Sequence, residues 1–145
     1  YCRGIDRMDW DLIRSCYHPD AIDDHGEYVG GVDGFIAYAQ ANLPSFTSTS
    51  HFICNQLVEL RGDTAFAEHY VIAYHRFPAS NGTPEKVWIV NARYVDRMER
   101  RHGEWRIAHR RSIVDAERVE VVSETLLAPE HILGRRDGSD PSYER

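Results

Sequence analysis

The spacing of hydrophobic residues divides the chain near residue 50. Before that point the spacing is helical, and after it apolar and polar residues alternate over long stretches. Steps of three and four residues place one group on a single helix face: Cys2, Asp6, Trp10, Ile13 and Tyr17. This pattern predicts a helix over residues 1–17, ended before Pro19, and a second helix that Asp33 caps and Pro44 closes.

The second part of the chain predicts four long strands. They cover residues 51–61, 64–77, 87–101 and 105–114, with short turns or a loop between them. Strands joined in this way form an antiparallel meander. The turn-rich stretch 20–29 could add a small hairpin before the second helix.

Helices followed by a meander indicate an α+β fold in one domain. We expect a cone-shaped, curved sheet, mixed or antiparallel, whose concave face carries the helices and encloses a pocket. The domain is predicted over residues 1–122, followed by a polar tail over 123–145 with a short helix near 129–133. Because Tyr1 already lies inside the first helical pattern, we expect the start of this helix to be missing.

Composition argues against several classes of function. A net charge of -6 gives no general attraction to nucleic acid or to anionic membranes. No apolar run approaches the ~20 residues needed to span a bilayer. The three cysteines are odd in number and lack the spacing of a zinc site, so we expect free buried thiols in a reducing cytoplasm, and no metal or other cofactor.

Asp6 has the clearest chemical meaning of any single residue. A carboxylate on an apolar helix face is driven toward the core, where it needs a partner. His51 opens the first long strand and could be that partner, because a carboxylate on one imidazole nitrogen makes the other a general base near neutral pH. The alternatives are an Asp6 solvated at the rim of the face and a structural His51 bonded to backbone.

Alternation along the second long strand predicts one wall of the pocket. We expect its aromatic-rich side to face inward: Phe66, Glu68, Tyr70, Ile72 and Tyr74. Trp10 on the first helix would join this wall, as would Trp88, Val90 and Tyr94 on the next strand. His69 and His75 lie on the other side and would face inward only if a bulge changed the alternation. Core packing is the alternative for any one tyrosine.

Arg110 on the last strand allows two interpretations. Facing inward, it would stabilise a leaving anion or a developing oxyanion. Beside Arg106 and Arg111 it instead indicates a solvated charged edge, which the sequence favours. The chain has no Gly-rich phosphate loop, no nucleophile elbow and no H-E-x-x-H helix, so covalent and metal mechanisms have little support.

Several stretches resemble one protein family. They are Tyr1–Trp10, Cys16–Ala21, Thr49–Asn55, Arg93–Asp96 and Gly103–Arg106. They are similar to the SnoaL-like branch of the nuclear-transport-factor-2-like superfamily, which includes scytalone dehydratase, hexachlorocyclohexane dehydrochlorinase and ketosteroid isomerase. The resemblance covers roughly residues 1 to 115 and implies a cystatin-like, scytalone dehydratase-like fold, which also serves proteins without catalysis.

The resemblance also implies roles for individual residues. Asp6 in Gly4-Ile5-Asp6 and His51 in His51-Phe-Ile-Cys-Asn55 match the dyad of the dehydrochlorinase, and Arg110 is similar to its catalytic arginine. Tyr1, five residues before Asp6, matches a tyrosine of the bile-acid dehydratase. His75 is the nearest counterpart of a second histidine in scytalone dehydratase.

Together these features predict a cofactor-independent lyase that acts on a small apolar cyclic compound. His51, held by Asp6, would remove a proton beside a leaving hydroxyl or halide, with help from Tyr1, Tyr74 or Arg110. The alternatives are an isomerase or polyketide-cyclase-like enzyme with the same base, and a non-catalytic domain for ligand binding or subunit association. We expect a homodimer or homotrimer that uses an outer sheet face with Ala65, Val71 and Phe77.

Overall fold

Six strands form one mixed sheet in this computed structural model, which describes residues 1–144. The strands are β1 (Tyr17–Asp24), β2 (Val29–Gly31), β3 (Ser48–Arg61), β4 (Thr64–Phe77), β5 (Lys86–Arg101) and β6 (Glu104–Val121). Their order across the sheet is β2-β1-β6-β5-β4-β3. β1 runs parallel to β6, and all other neighbours are antiparallel. The predicted α+β fold and the meander are confirmed.

Three α-helices, α1 (Cys2–Arg7), α2 (Trp10–Ser15) and α3 (Val32–Asn42), complete the main fold. Their apolar side chains meet the β1 and β6 end of the sheet in one core cluster, which includes Ile5, Ile13, Tyr17, Phe35 and Ile107. α3 packs on β1 and α1 reaches β3 at the opposite edge of the sheet, which leaves space above β4 and β5. This space becomes the cavity described below.

The prediction of one helix over residues 1–17 is wrong. Met8 adopts a left-handed conformation with φ of 51° and ends α1, and the side chain of Asp9 then accepts the Leu12 N–H at 3.0 Å to cap α2. α2 stops at Ser15, and Pro19 lies within β1 instead of ending a helix. The break turns α2 back so that it packs on α1.

The start of α3 also differs from the prediction. Gly31 is the N-cap, whereas Asp33 sits in the first turn and pairs with Arg14 of α2. After Asn42 the chain makes a 3₁₀ turn over Leu43–Ser45, which contains Pro44. The hairpin predicted in the stretch before α3 exists, as β1 and β2.

The inward face of β4 is the opposite of the predicted one. Its buried residues are Ala65, Ala67, Val71, Ala73 and His75. Phe66, Tyr70 and Tyr74 are 43%, 46% and 38% exposed on the outer face. β4 pairs with β5 without a register shift, so no bulge is needed to turn His75 inward. The alternation of residues separated the two faces of β4 correctly, but it did not show which face the helices cover. The inward face carries small residues because a cavity lies above it.

This reversal also corrects the predicted association surface. Ala65 and Val71 are only 6% and 2% exposed, so they cannot form an outer face. Self-association remains a prediction. The cysteines are free, but Cys54 is exposed and Cys2 and Cys16 are half-buried, so the expectation of three buried thiols is wrong.

The C-terminal segment folds back on the helices. Residues 122–134 contain no helix or strand, so the helix predicted near 129–133 is wrong. A 3₁₀ turn forms instead over Pro141–Tyr143, where the Arg3 guanidinium lies 4.6 Å from the Tyr143 ring centre. Within residues 1–144, no helix has the length and apolar character required to cross a membrane.

Candidate active site

Asp6 and His51 meet between α1 and β3. Nδ1 of His51 lies 2.8 Å from Oδ1 of Asp6, and the backbone N–H of His51 donates to Oδ2 at 2.9 Å. The Thr49 hydroxyl donates to Oδ1 at 2.9 Å. Both side chains are largely buried, with 14% of Asp6 and 7% of His51 exposed. The prediction that these two residues pair is confirmed.

This geometry determines which imidazole nitrogen is available for chemistry. A carboxylate oxygen accepts hydrogen bonds. Nδ1 of His51 therefore carries the ring proton and donates a hydrogen bond to Asp6. Nε2 makes no hydrogen bond to any residue of the described chain. In the neutral ring, Nε2 therefore holds the lone pair and is the basic atom.

His51 lines a cavity of about 640 Å³ between the helices and the concave face of the sheet. Its lining is mainly apolar or aromatic, from Phe35, Leu43, Phe46, Val71, Ala73, Trp88, Val90, Ala92 and Tyr94. Tyr1, His25 and His75 bring polar atoms to the same space. Such a cavity suits a small apolar ring with one or two polar substituents.

A buried cation lies behind two tyrosines of the cavity wall. The Arg110 guanidinium donates to both carboxylate oxygens of Asp96, at 2.8 and 2.6 Å. Its other contacts are ring faces, 4.3 Å from the centre of Tyr1 and 4.2 Å from that of Tyr94. Arg110 is 4% exposed, so the favoured interpretation as a solvated edge is wrong.

The hydroxyls of these tyrosines remain protonated at neutral pH. Burial raises the pKa of Tyr1 well above its usual value, and the neighbouring Tyr17 and Tyr94 raise it further. Burial likewise raises the pKa of Tyr94. Both side chains can therefore donate a hydrogen bond to a ligand in the cavity.

A second carboxylate–histidine pair stands on another side of the cavity. Asp23 is fully buried in β1, and its Oδ1 contacts Nδ1 of His25. Its Oδ2 accepts the Tyr17 hydroxyl at 2.5 Å. Nε2 of His25 lies 3.3 Å from the Tyr1 hydroxyl, and the imidazole stacks on Phe35 with ring centres 4.7 Å apart.

The C-terminal segment also reaches the first pair. Arg136 donates to the backbone carbonyls of Leu43 and Phe46 at 2.7 and 2.8 Å. Longer contacts of 3.4 Å connect it to the Asp6 carbonyl and the Thr49 hydroxyl. One side chain thus ties the tail to α1, to the end of α3 and to β3.

Comparison with known proteins identifies the domain. The SnoaL-like domain family matches residues 1–111, most of the chain. The chain belongs to this family. No curated protein is significantly similar to it in sequence.

Solved structures share the fold of this SnoaL-like domain. A hexachlorocyclohexane dehydrochlorinase, LinA-type3 from Novosphingobium barchaimii, superposes with a TM-score of 0.71 at 17% identity, covering 88% of this chain and 86% of that one. A scytalone dehydratase candidate from Novosphingobium aromaticivorans gives 0.70 at 17% identity, covering 90% and 85%. A point variant of Rv3472 from Mycobacterium tuberculosis, a protein of unknown function, gives 0.66 at 25% identity, covering 89% and 76%.

The SnoaL-like domain brings together only some of the residues predicted from the sequence. Tyr1, His51, Trp88, Val90 and Tyr94 line the cavity, and Asp6 holds His51. Arg110 does not line the cavity itself. Its guanidinium packs on the rings of Tyr1 and Tyr94, which do.

Four predicted residues lie elsewhere. Phe66, Tyr70 and Tyr74 face outward from β4, for the reason given above. Trp10 belongs to α2 and lines a separate surface groove with Arg136 and Tyr143. Because the helix breaks at Met8, Trp10 does not share the face of Asp6.

Sequence reasoning missed His25, Asp23 and Arg136. A signal for the first two exists, since an aspartate and a histidine two positions apart at the end of a strand can face the same side. Arg136 lies in a polar segment with no periodic pattern, and no local signal marks it. No cluster of three or more His, Cys, Asp or Glu side chains within residues 1–144 is arranged to hold a metal ion.

Proposed function

We propose that this protein is a cofactor-independent lyase that eliminates water or halide from a small apolar cyclic compound. The observation that carries the proposal is the 2.8 Å contact between Asp6 and Nδ1 of His51, which leaves Nε2 free in a mainly apolar cavity. A general base needs such a fixed tautomer and an unpaired lone pair close to the substrate.

The proposed reaction begins with proton transfer from a ring carbon to Nε2 of His51. The electrons of that C–H bond form the C=C bond, and the bond to the leaving hydroxyl or halide breaks. The Asp6 carboxylate stabilises the imidazolium ion that results. The apolar side chains of Val71, Ala73 and Val90 lower the polarity of the cavity wall, which strengthens this electrostatic interaction.

The names of similar structures support elimination among the reactions that one base can perform. A dehydrochlorinase removes hydrogen chloride from its substrate and a dehydratase removes water, and structures named for each of these activities have this fold. Tyr1 is well placed to contact the leaving group, because its hydroxyl is protonated and it lines the same cavity as His51.

Two cyclic ketones test the proposal: 3-hydroxycyclohexanone and 3-chlorocyclohexanone. Elimination from either gives 2-cyclohexenone, which is followed by ultraviolet absorbance after subtraction of the uncatalysed rate. We expect His51→Gln and Asp6→Asn to lower turnover by at least about 100-fold, since general base catalysis contributes 10²–10⁴-fold. The matched control is His131→Gln, at an exposed histidine of the tail.

Two results would contradict the proposal. Equal turnover by wild type and His51→Gln would show that His51 is not the base. Deuterium uptake from solvent into the ring without loss of the substituent would instead favour the isomerase alternative. Circular dichroism of each variant separates loss of chemistry from loss of fold.

A further inference from the structure

We propose that His25, held by Asp23, is a second acid–base residue of the cavity and supplies the proton that the leaving group takes, through the Tyr1 hydroxyl. The inference rests on the proposed elimination and assigns its second proton transfer. It is carried by geometry: a buried carboxylate, an imidazole and a phenol form a hydrogen-bonded chain that ends in the cavity.

The two pairs are built alike. In each, a carboxylate oxygen contacts Nδ1 and leaves Nε2 for other partners. In each, a hydroxyl also donates to the carboxylate, from Tyr17 to Asp23 and from Thr49 to Asp6. Such a carboxylate fixes the tautomer and stabilises the protonated ring, so His25 has the same features from which a role for His51 was inferred.

Asp23 is buried among groups that compensate for its removal from water. A buried carboxylate is costly unless hydrogen bonds and charges compensate for the loss of water. Tyr17 and His25 occupy its two oxygens, and Arg110 stands directly opposite Asp23 where β1 and β6 pair. Asp23 lies against Nδ1 of His25, and a carboxylate in that position stabilises an imidazolium ring, which is the form that can give a proton away.

The step balances without any further reactant. His51 takes the proton from carbon, and the electron pair of the breaking C–O bond leaves with the oxygen. Tyr1 gives its hydroxyl proton to that oxygen, water forms, and the imidazolium of His25 returns a proton from Nε2 to Tyr1. At the end His51 is protonated and His25 is neutral, and proton exchange with solvent restores both.

A chloride does not need this second proton, and the difference provides the test. Chloride leaves as an anion, whereas hydroxide is a poor leaving group unless it is protonated. We expect His25→Gln to lower turnover of 3-hydroxycyclohexanone by about 100-fold, within the range of general acid catalysis, and to lower turnover of 3-chlorocyclohexanone far less. His51→Gln removes the shared base, so it should lower both rates to a similar extent.

The outcomes distinguish the inference from the proposed function. If His51→Gln loses both reactions and His25→Gln retains both, the proposed role of His25 is wrong and the proposed lyase function still holds. Equal loss of both reactions in His25→Gln, with a native circular dichroism spectrum, would also overturn it. Tyr1→Phe should show the same selective loss as His25→Gln, because it interrupts the same chain of hydrogen bonds.

A binding measurement tests the inference even if neither ketone is turned over. With histidine labelled by ¹⁵N, we expect NMR to show a proton on Nδ1 of His25, and cyclohexanol to shift the His25 Nε2 signal when it binds. Tyr1→Phe should remove that shift. An Nδ1 of His25 without a proton, or an Nε2 signal that does not shift when cyclohexanol binds, would contradict the proposal independently of any activity.

Discussion

At the scale of single residues, the histidines lining the cavity differ in their partners. His25 and His51 each contact a carboxylate through Nδ1. His75 has none, and its buried Nδ1 makes no hydrogen bond to any residue of 1–144. Its ring lies 5.4 Å from the ring of His51 and 4.9 Å from that of Trp88. The cavity therefore has two imidazoles in direct contact with a carboxylate and one without such a contact.

His75 should make the stability of the fold depend on pH. Burial lowers the pKa of His75 from 6.5 to about 4, and the neighbouring His51 and Arg136 act in the same direction while Asp6 opposes them. Between these pH values the unfolded chain binds more protons than the folded one, so stability is complete above pH 6.5 and decreases as pH falls toward 4. The full contribution is about 3 kcal/mol, at 1.36 kcal/mol for each pKa unit.

Urea unfolding at several pH values measures this effect. Replacing His75 by Phe keeps a ring against Phe46 and Trp88 but removes the titrating group. The difference in unfolding free energy between wild type and His75→Phe should become less favourable to wild type as pH falls from 6.5 to about 4. Parallel curves would contradict the prediction, and His131→Phe, at an exposed site, is the matched control.

At the scale of secondary-structure elements, the contact between α1 and α2 depends on one glycine. A Cβ atom on Gly4 would lie 2.7 Å from Cγ1 of Ile13 and 3.1 Å from its backbone nitrogen. Ile13 is fully buried, so it has no space to move into. The close approach fixes how α2 packs against α1, the helix that carries Asp6.

Gly4→Ala should therefore destabilise the protein, although alanine is the better helix former. Overpacking of this kind costs about 1–3 kcal/mol. We expect a lower midpoint in urea unfolding together with reduced turnover, because the displaced α1 carries Asp6. The control is Gln40→Ala on the exposed side of α3. A midpoint equal to that of wild type would show that α1 and α2 separate without cost.

A comparison of the predicted and observed elements shows which features of the fold the sequence could predict. The strands β3 to β6 were predictable because alternation and turn residues are local signals. The helical spacing marked Asp6, and the resemblance identified His51 as its partner. The break at Met8 was missed because the apolar spacing continues across it, whereas the signal that mattered was the cap at Asp9. The inward side of β4 depends on which face α1 and α3 cover, and this is a long-range property that Ala67 and Tyr70 do not encode locally.

At the scale of the whole molecule, the tail is part of the structure around Asp6. Arg136 donates to the backbone carbonyls of Leu43 and Phe46, where the chain passes from the 3₁₀ turn to β3. Arg7 pairs with the buried Asp140 at 3.3 Å, which fixes the same segment to α1. Residues beyond the match to the SnoaL-like family thus contribute to the position of the Asp6–His51 pair.

Removing the Arg136 side chain should weaken this connection. A hydrogen bond contributes about 1 kcal/mol, and Arg136 makes two short ones to backbone, so we expect Arg136→Ala to lower the unfolding free energy by roughly 2 kcal/mol. Limited proteolysis should also cleave the tail sooner. Arg135→Ala, at the exposed neighbouring residue, is the control. Unchanged stability and cleavage would mean that the tail docks without Arg136.

The parallel pairing of β1 with β6 has a consequence for how the protein folds. It joins Asp23 to Arg110, 87 positions apart, and brings one of the earliest strands against the last. Contacts so distant in sequence slow folding, because a long loop must close before they form. During synthesis the meander of β3, β4 and β5 can pair as it leaves the ribosome, while β1 must wait for β6. The cavity should therefore be the last part of the molecule to close, because β1 can join the sheet only after β6 has formed.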